Sequence, residues 1–267
     1  MFRSKYLLLL AISLLAALSA AAPAVAGDAD KEPPAQGAVD PFAAPATEEA
    51  RAAGDRLALE MLAAHGGLAR YEAVRLLSFD FVVHLGERRA RRHHDWDRHA
   101  GLAHVVETKD KKRVEAWLRL ADKSGVVTVD GARVTDAAER KERLERAYAL
   151  WVNDTYWLCA PYKVMDPGVV RVAVGGDLRL SFEGVGLTPG DAYLLHLDDK
   201  KRLAGWDFLL QSKDRGSFTW EEPREVFGTT FFLSRKSAAG TISFERFAAS
   251  LEGSDGVFAP LLEGGAP

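Results

Sequence analysis

Two periods divide the chain. Over residues 47–68 the apolar positions fall on a helical stripe, with Leu57, Ala58, Met61 and Leu62 on one side of a 3.6-residue repeat. Thr47 is placed to cap that helix. Glu48 and Glu49 occupy its first turn, where the helix dipole favours acids, and His65-Gly66-Gly67 ends it. Beyond it the period falls to two. In LLSFDFVVHL, Phe79, Phe81, Val83 and Leu85 share one face, while Asp80, Val82 and His84 share the other. Similar short runs follow: RRHHDWDRH, LAHVVETKD, VEAWLRLA, GVVTVDG, then VVRVAV, LRLSFEG, AYLLHLDD, RLAGWDFLLQ, GSFTW, TTFFLSRK and TISFERF. Turn signals such as Ala100-Gly101, Asp130-Gly131 and Asp199-Lys200 separate them.

One block interrupts the strands. DAAERKERLERAYALW reads as a charged helix with Leu144, Ala147, Tyr148 and Trp151 on its apolar side. The stretch that follows, VNDTYWLCAPYKVMDPG, reads as a turn, a short strand over residues 156–160 closed by Pro161, and a second turn at Met165-Asp166-Pro167-Gly168. The whole pattern predicts a mainly β, α+β fold. Its centre is a strongly curved antiparallel sheet of about ten or eleven strands forming an unclosed barrel, with an N-terminal helix and an inserted helix as lid. VVRVAV, YLLHL and WDFLLQ are apolar on both strand faces, which a sheet with one wet side does not need.

The ends carry a different composition. Residues 1–26 combine Arg3 and Lys5, an apolar run and Ala24-Val25-Ala26, the pattern of a secretory signal peptide cleaved after Ala26, so the expected location is the periplasm. No cysteine stands at that point to carry a lipid anchor. Residues 27–47 are rich in Pro, Ala and acids and are expected to be a disordered leader. Residues 48–250 are expected to form a single domain and residues 251–267 a flexible tail. The net charge of −3, from 35 basic and 38 acidic side chains, argues against nucleic acid as a partner. A single cysteine, Cys159, excludes an intramolecular disulfide and reads as a buried thiol.

No nucleophile elbow, phosphate loop, zinc-protease helix or paired CxxC is present, so neither catalysis nor a cofactor is expected. His93, Asp95, Asp97 and His99 alternate along one strand face at about 7 Å spacing, with His104 opposite them in the next strand. The set reads either as ligands for one ion or as an outward polar face. His196 beside Asp198 reads either as a general base or as a satisfied polar group near a turn. The apolar excess points to a cavity with Phe79, Phe81, Val83, Trp117, Trp157, Trp206 and Phe208 as wall residues. Asn153, Asp154, Tyr156, Lys163 and Asp166 are the polar groups expected at its mouth.

W-x-N-D-T-Y-W-L, followed by P-Y-K and D-P-G-V, resembles a family of uncharacterised exported bacterial proteins. That family is similar in fold to the LolA/LolB-like superfamily of periplasmic lipoprotein carriers and outer-membrane lipoprotein receptors. Ala63 to Gly67 and the D-x-x-x-G turn from Asp97 to Gly101 fit it too. The resemblance implies an unclosed barrel with apolar groups under a helical lid. Taken together, the expectation is a soluble periplasmic carrier for a lipid, lipoprotein acyl chain or other hydrophobic ligand, with at most peripheral membrane contact. The alternatives are an exported metal-assisted or acid/base enzyme and a non-catalytic envelope protein with a protein partner.

Overall fold

β1 (Leu76–Leu85) sits in the middle of the sheet although it is the first strand of the chain, and that placement organises everything else. The computed structural model describes residues 40–184 and 187–263 of 267; the proposed signal peptide and residues 27–39 of the leader lie outside them. From β1 the chain meanders outward through β2 (Arg88–Asp97), β3 (Leu102–Lys109), β4 (Lys112–Arg119), β5 (Gly125–Val129) and the two-residue β6 (Ala132–Arg133). A long helix then carries it to the opposite edge. There β7 (Val169–Val174), β8 (Asp177–Phe182), β9 (Ala192–Leu197), β10 (Leu203–Leu209), β11 (Arg215–Val226), β12 (Thr229–Ser237) and β13 (Gly240–Ser250) meander back, and β13 pairs with β1. The result is one antiparallel sheet of 13 strands, more than the sequence pattern suggested, with β6 and β7 as its unjoined edges.

Three helices precede or cross this sheet: α1 (Glu48–Ala64), α2 (Leu68–Ala73) and α3 (Ala137–Lys163). Thr47 Oγ1 accepts the Ala50 N–H at 3.1 Å, the expected N-cap of α1. Gly54 lets α1 press on the edge strand β7, since a Cβ there would stand 2.7 Å from the Arg171 carbonyl carbon. At the other end of α1, the buried His65 ring approaches the Met61 carbonyl at 2.7 Å through Nδ1 and accepts the Leu203 N–H through Nε2.

α3 is 27 residues, about 40 Å long. Thirteen strands laid flat would span roughly 58 Å, so a helix joining the two edges requires the sheet to curl toward it. Asp136 caps its start by accepting the Glu139 N–H. The helix does not stop near Trp151. It continues through Tyr156–Ala160, where a strand was expected, because Pro161 is accommodated inside it. A proline has no N–H, so the carbonyl four residues earlier, on Trp157, loses its helical partner. Arg235 Nη2 replaces that donor at 2.6 Å.

The ends of the described chain are also more ordered than expected. Asp40, within the expected leader, pairs with Arg215 at 2.6 Å, and Arg179 Nη1 donates to the carbonyls of Pro41, Phe42 and Ala44. The expected tail contains α4 (Asp255–Glu263), whose Phe258 and Leu261 are buried against the outer face of β3–β5. Trp117 Nε1 and Arg119 hold it by donating to the carbonyls of Val257 and Leu261.

If α1 depends on the close approach at Gly54, Gly54→Ala will lower stability by about 1–3 kcal/mol. Urea unfolding reads this directly, and an unchanged midpoint would show that α1 is not seated on β7.

Candidate functional site

Alternate positions of β2 send Arg92 and His94 to the inner face, under α3, where both meet Asp154. The guanidinium is bidentate, Nε to Oδ2 at 2.6 Å and Nη2 to Oδ1 at 2.8 Å. His94 Nε2 lies 2.7 Å from Oδ2, and Asn153 Nδ2 donates to Oδ1 at 2.8 Å. Burial pushes the Asp154 carboxyl up, but the Arg92 charge and the bonds from His94 and Arg92 outweigh it and hold the group at about 2. Burial lowers the His94 pKa more than Asp154 raises it, so the ring is neutral. Its Nε2–H then faces Asp154, and Nδ1 has no partner. Phe79 stacks on His94 and Phe81 lies under Arg92. This cluster is a charged stitch between helix and sheet, closed to solvent.

Further along α3 the aromatic side chains fill the space beneath it. Trp157 packs edge-on against Trp206 at 4.7 Å and Phe218 at 5.0 Å, and Tyr156 lies against Tyr193 and Trp206. Phe79, Phe81, Val83, Trp157, Trp206 and Phe208 therefore share the buried core, as the alternation indicated, and belong to one continuous apolar cluster. Trp117 does not join them. Its position in β4 turns it to the outer face, where it stacks on His104 at 4.6 Å beneath α4.

The polar residues expected at a mouth are divided by the continuous helix. Asp154 is fully buried, Asn153 and Tyr156 are partly buried, and only Lys163 and Asp166, an ion pair at 3.6 Å, stand at the helix end. Cys159 is buried as expected, and burial pushes its thiol pKa up.

A cavity of about 210 Å³ lies instead between the N-terminal half of α3 and β3–β5, and none of the twelve expected residues lines it. Its apolar walls are Val105, Val114, Ala116, Val129 and Ala147. Its rim carries Lys109, Lys112 and Glu142 together with the pairs Arg146–Glu107 and Arg143–Glu139. One sequence signal for this space was available. Ala116 and Ala147 are small residues on the inward faces of a strand and a helix that must pack together.

The histidines of the outer face form chains, not a centre. Asp80 is fully buried and takes Arg246, Arg91 and His93, while His93 and His104 share Asp95 at 3.1 and 3.0 Å. Asp97 turns away to Arg75, and His99 meets the Glu72 carbonyl. Among the described residues no group of three or more His, Cys, Asp or Glu side chains is arranged to hold a metal ion. His196 sits between Asp177 at 2.8 Å and Asp207 at 3.1 Å, whereas Asp198 closes its own turn with Arg202.

No protein-family model matches the chain, and no curated protein sequence matches it significantly.

Two outcomes follow from these contacts. Asp154→Ala leaves Arg92 buried without its counter-ion and will cost about 3–5 kcal/mol in urea unfolding, while the Arg92→Ala/Asp154→Ala double variant will cost less than the sum of the singles. A purely additive double variant would show that the pair is not coupled. For His196, the bond to Asp207 and then that to Asp177 raise the pKa to about 9 against burial, from 6.5. Its contribution is complete below pH 6.5 and is lost as pH rises through 9. His196→Gln will flatten the decline of stability across that window, and an unaltered pH profile would refute the assignment.

Proposed function

We propose that this protein is an exported, soluble binding protein for a hydrophobic ligand, a lipid or acyl chain, taken up between α3 and the inner face of the sheet. The supporting observation is the cavity under the N-terminal half of α3, with an apolar floor and a charged rim. Its 210 Å³ is smaller than the roughly 300–1,000 Å³ of a drug-sized pocket. The end of a single alkyl chain fits that scale. Each buried methylene contributes about 0.8 kcal/mol, so five or six give about 4–5 kcal/mol, close to millimolar affinity, and about ten would be needed for micromolar binding.

In this reading α3 is the lid, and the aromatic interior further along it is the surface that a longer chain would reach as the helix yields. The signal-peptide pattern of residues 1–26 supports periplasmic work, and the motif likeness to exported proteins of the lipoprotein-carrier type supports a lipid cargo. The lid, the location and the cargo stand together as one proposal.

Organic extracts of the purified protein, read by mass spectrometry, are expected to contain a lipid, and a fluorescent fatty-acid probe is expected to bind. Ala147→Leu fills the cavity and will weaken probe binding about tenfold, equivalent to about 1.4 kcal/mol, with folding intact. Empty extracts combined with no probe binding would end the proposal.

A further inference from the structure

Arg235 and Arg92 are both buried under α3, yet they are treated differently. Arg92 has the Asp154 carboxylate. Arg235, on β12, makes no ion pair with a described carboxylate; it donates through Nη1 to the carbonyls of Phe232 and Ser234 and through Nη2 to that of Trp157. Its Nε has no partner. The guanidinium lies 3.4 Å from the centroid of the Trp220 ring, and Trp220 packs edge-on against Trp206 at 5.0 Å. The indole Nε1 groups of both tryptophans also lack partners. Trp206 and Arg235 are fully buried and Trp220 nearly so.

Three N–H donors without acceptors thus belong to neighbouring side chains, Arg235 and Trp206 each packed on Trp220, and one of them is a cation without a counter-ion among the described residues. Buried polar groups in folded proteins nearly always have partners, so an orphaned set calls for a water, an ion or a ligand. This set is made of donors alone. Its complement is a group offering only acceptor oxygens and carrying negative charge, since charge-assisted bonds to oxyanions are the strongest such donors make. Burial also pushes the Arg235 pKa well down, a penalty that an adjacent anion relieves.

We propose that Arg235, Trp206 and Trp220 form a binding site for the oxyanion head, carboxylate or phosphate, of an amphiphilic ligand. The proposal rests on the carrier reading above and adds the class of cargo: anionic amphiphiles, held head inward. Trp157 of α3 covers the cluster by packing on Trp206, so loading requires that part of the helix to yield.

The test uses the mature full chain, labelled with ¹⁵N in its tryptophans and refolded from urea with each probe so that access is not limiting. Four probes are compared: dodecanoate, dodecyl phosphate, dodecanol and inorganic phosphate. Single Trp206→Phe and Trp220→Phe variants assign the two indole N–H signals. Dodecanoate and dodecyl phosphate are expected to move both signals and to bind at least tenfold more tightly than dodecanol, and Arg235→Met is expected to erase that preference. Equal affinity for dodecanol and dodecanoate, with both indole signals unmoved, overturns the head-group site and leaves the carrier reading standing. Shifts produced equally by inorganic phosphate alone keep the oxyanion site and remove the carrier reading. No binding by any probe removes both.

Discussion

A helix buried against a curled sheet must find a partner for every polar group it brings inside, and that requirement shapes the middle of this molecule. Two groups on α3 pose the problem. The Asp154 carboxylate is solved by Arg92 and His94 from β2. The Trp157 carbonyl, released by Pro161, is solved by Arg235 from β12. The two arginines stand on opposite sides of the β1/β13 seam. Each is expensive to bury and each is tied to one point on the helix, so together they fix where α3 lies along its length and which side it turns inward. The aromatic packing of Tyr156 and Trp157 then follows from that placement.

Much of the architecture was legible because alternation is a strong signal. Phe79, Phe81, Val83 and Leu85 announced their shared face, and the Thr47 cap announced the start of α1. The stretch from Val152 to Lys163 was misread for a definable reason. Its buried residues Asp154, Thr155, Trp157, Leu158, Cys159, Ala160 and Tyr162 surround the helix, since α1 and the sheet cover it together, and so no amphipathic stripe remains to be seen. Pro161 then looked like a terminator, because the donor that repairs its missing hydrogen bond comes from Arg235, more than seventy positions later. Trp117 failed differently. Its strand was foreseen, but Trp117 alternates with Arg113, Glu115 and Arg119 on the outer face, and only α4, in a segment whose composition suggests a flexible tail, explains why a large ring is half-buried there.

The candidate site was legible only in kind. Greasy strand faces pointed to an interior with more apolar surface than a thin sheet needs, and the structure places most of those side chains together under α3. Occupancy could not be read. Aromatic rings close one part of the space, while opposed alanines and valines leave another part open, and that contrast depends on how α3 is seated over the strands rather than on hydrophobicity. The outer face carries the opposite chemistry, with a chain of carboxylates, imidazoles and guanidinium groups running from β13 across β1 and β2 to β4. The sheet is thus held by burial on one side and by cross-strand charge on the other.

The seam between β1 and β13 has a kinetic meaning. The first and last strands of the chain lie side by side at the centre, so pairs such as Phe81 with Phe244 join residues from opposite ends of the polypeptide. Closing so long a loop is slow, and folding rates fall as contacts become more distant in sequence. A growing chain cannot complete its sheet until β13 has left the ribosome. During synthesis it therefore lacks its central pairing, and the two halves of the sheet can form separately before the last strand joins them.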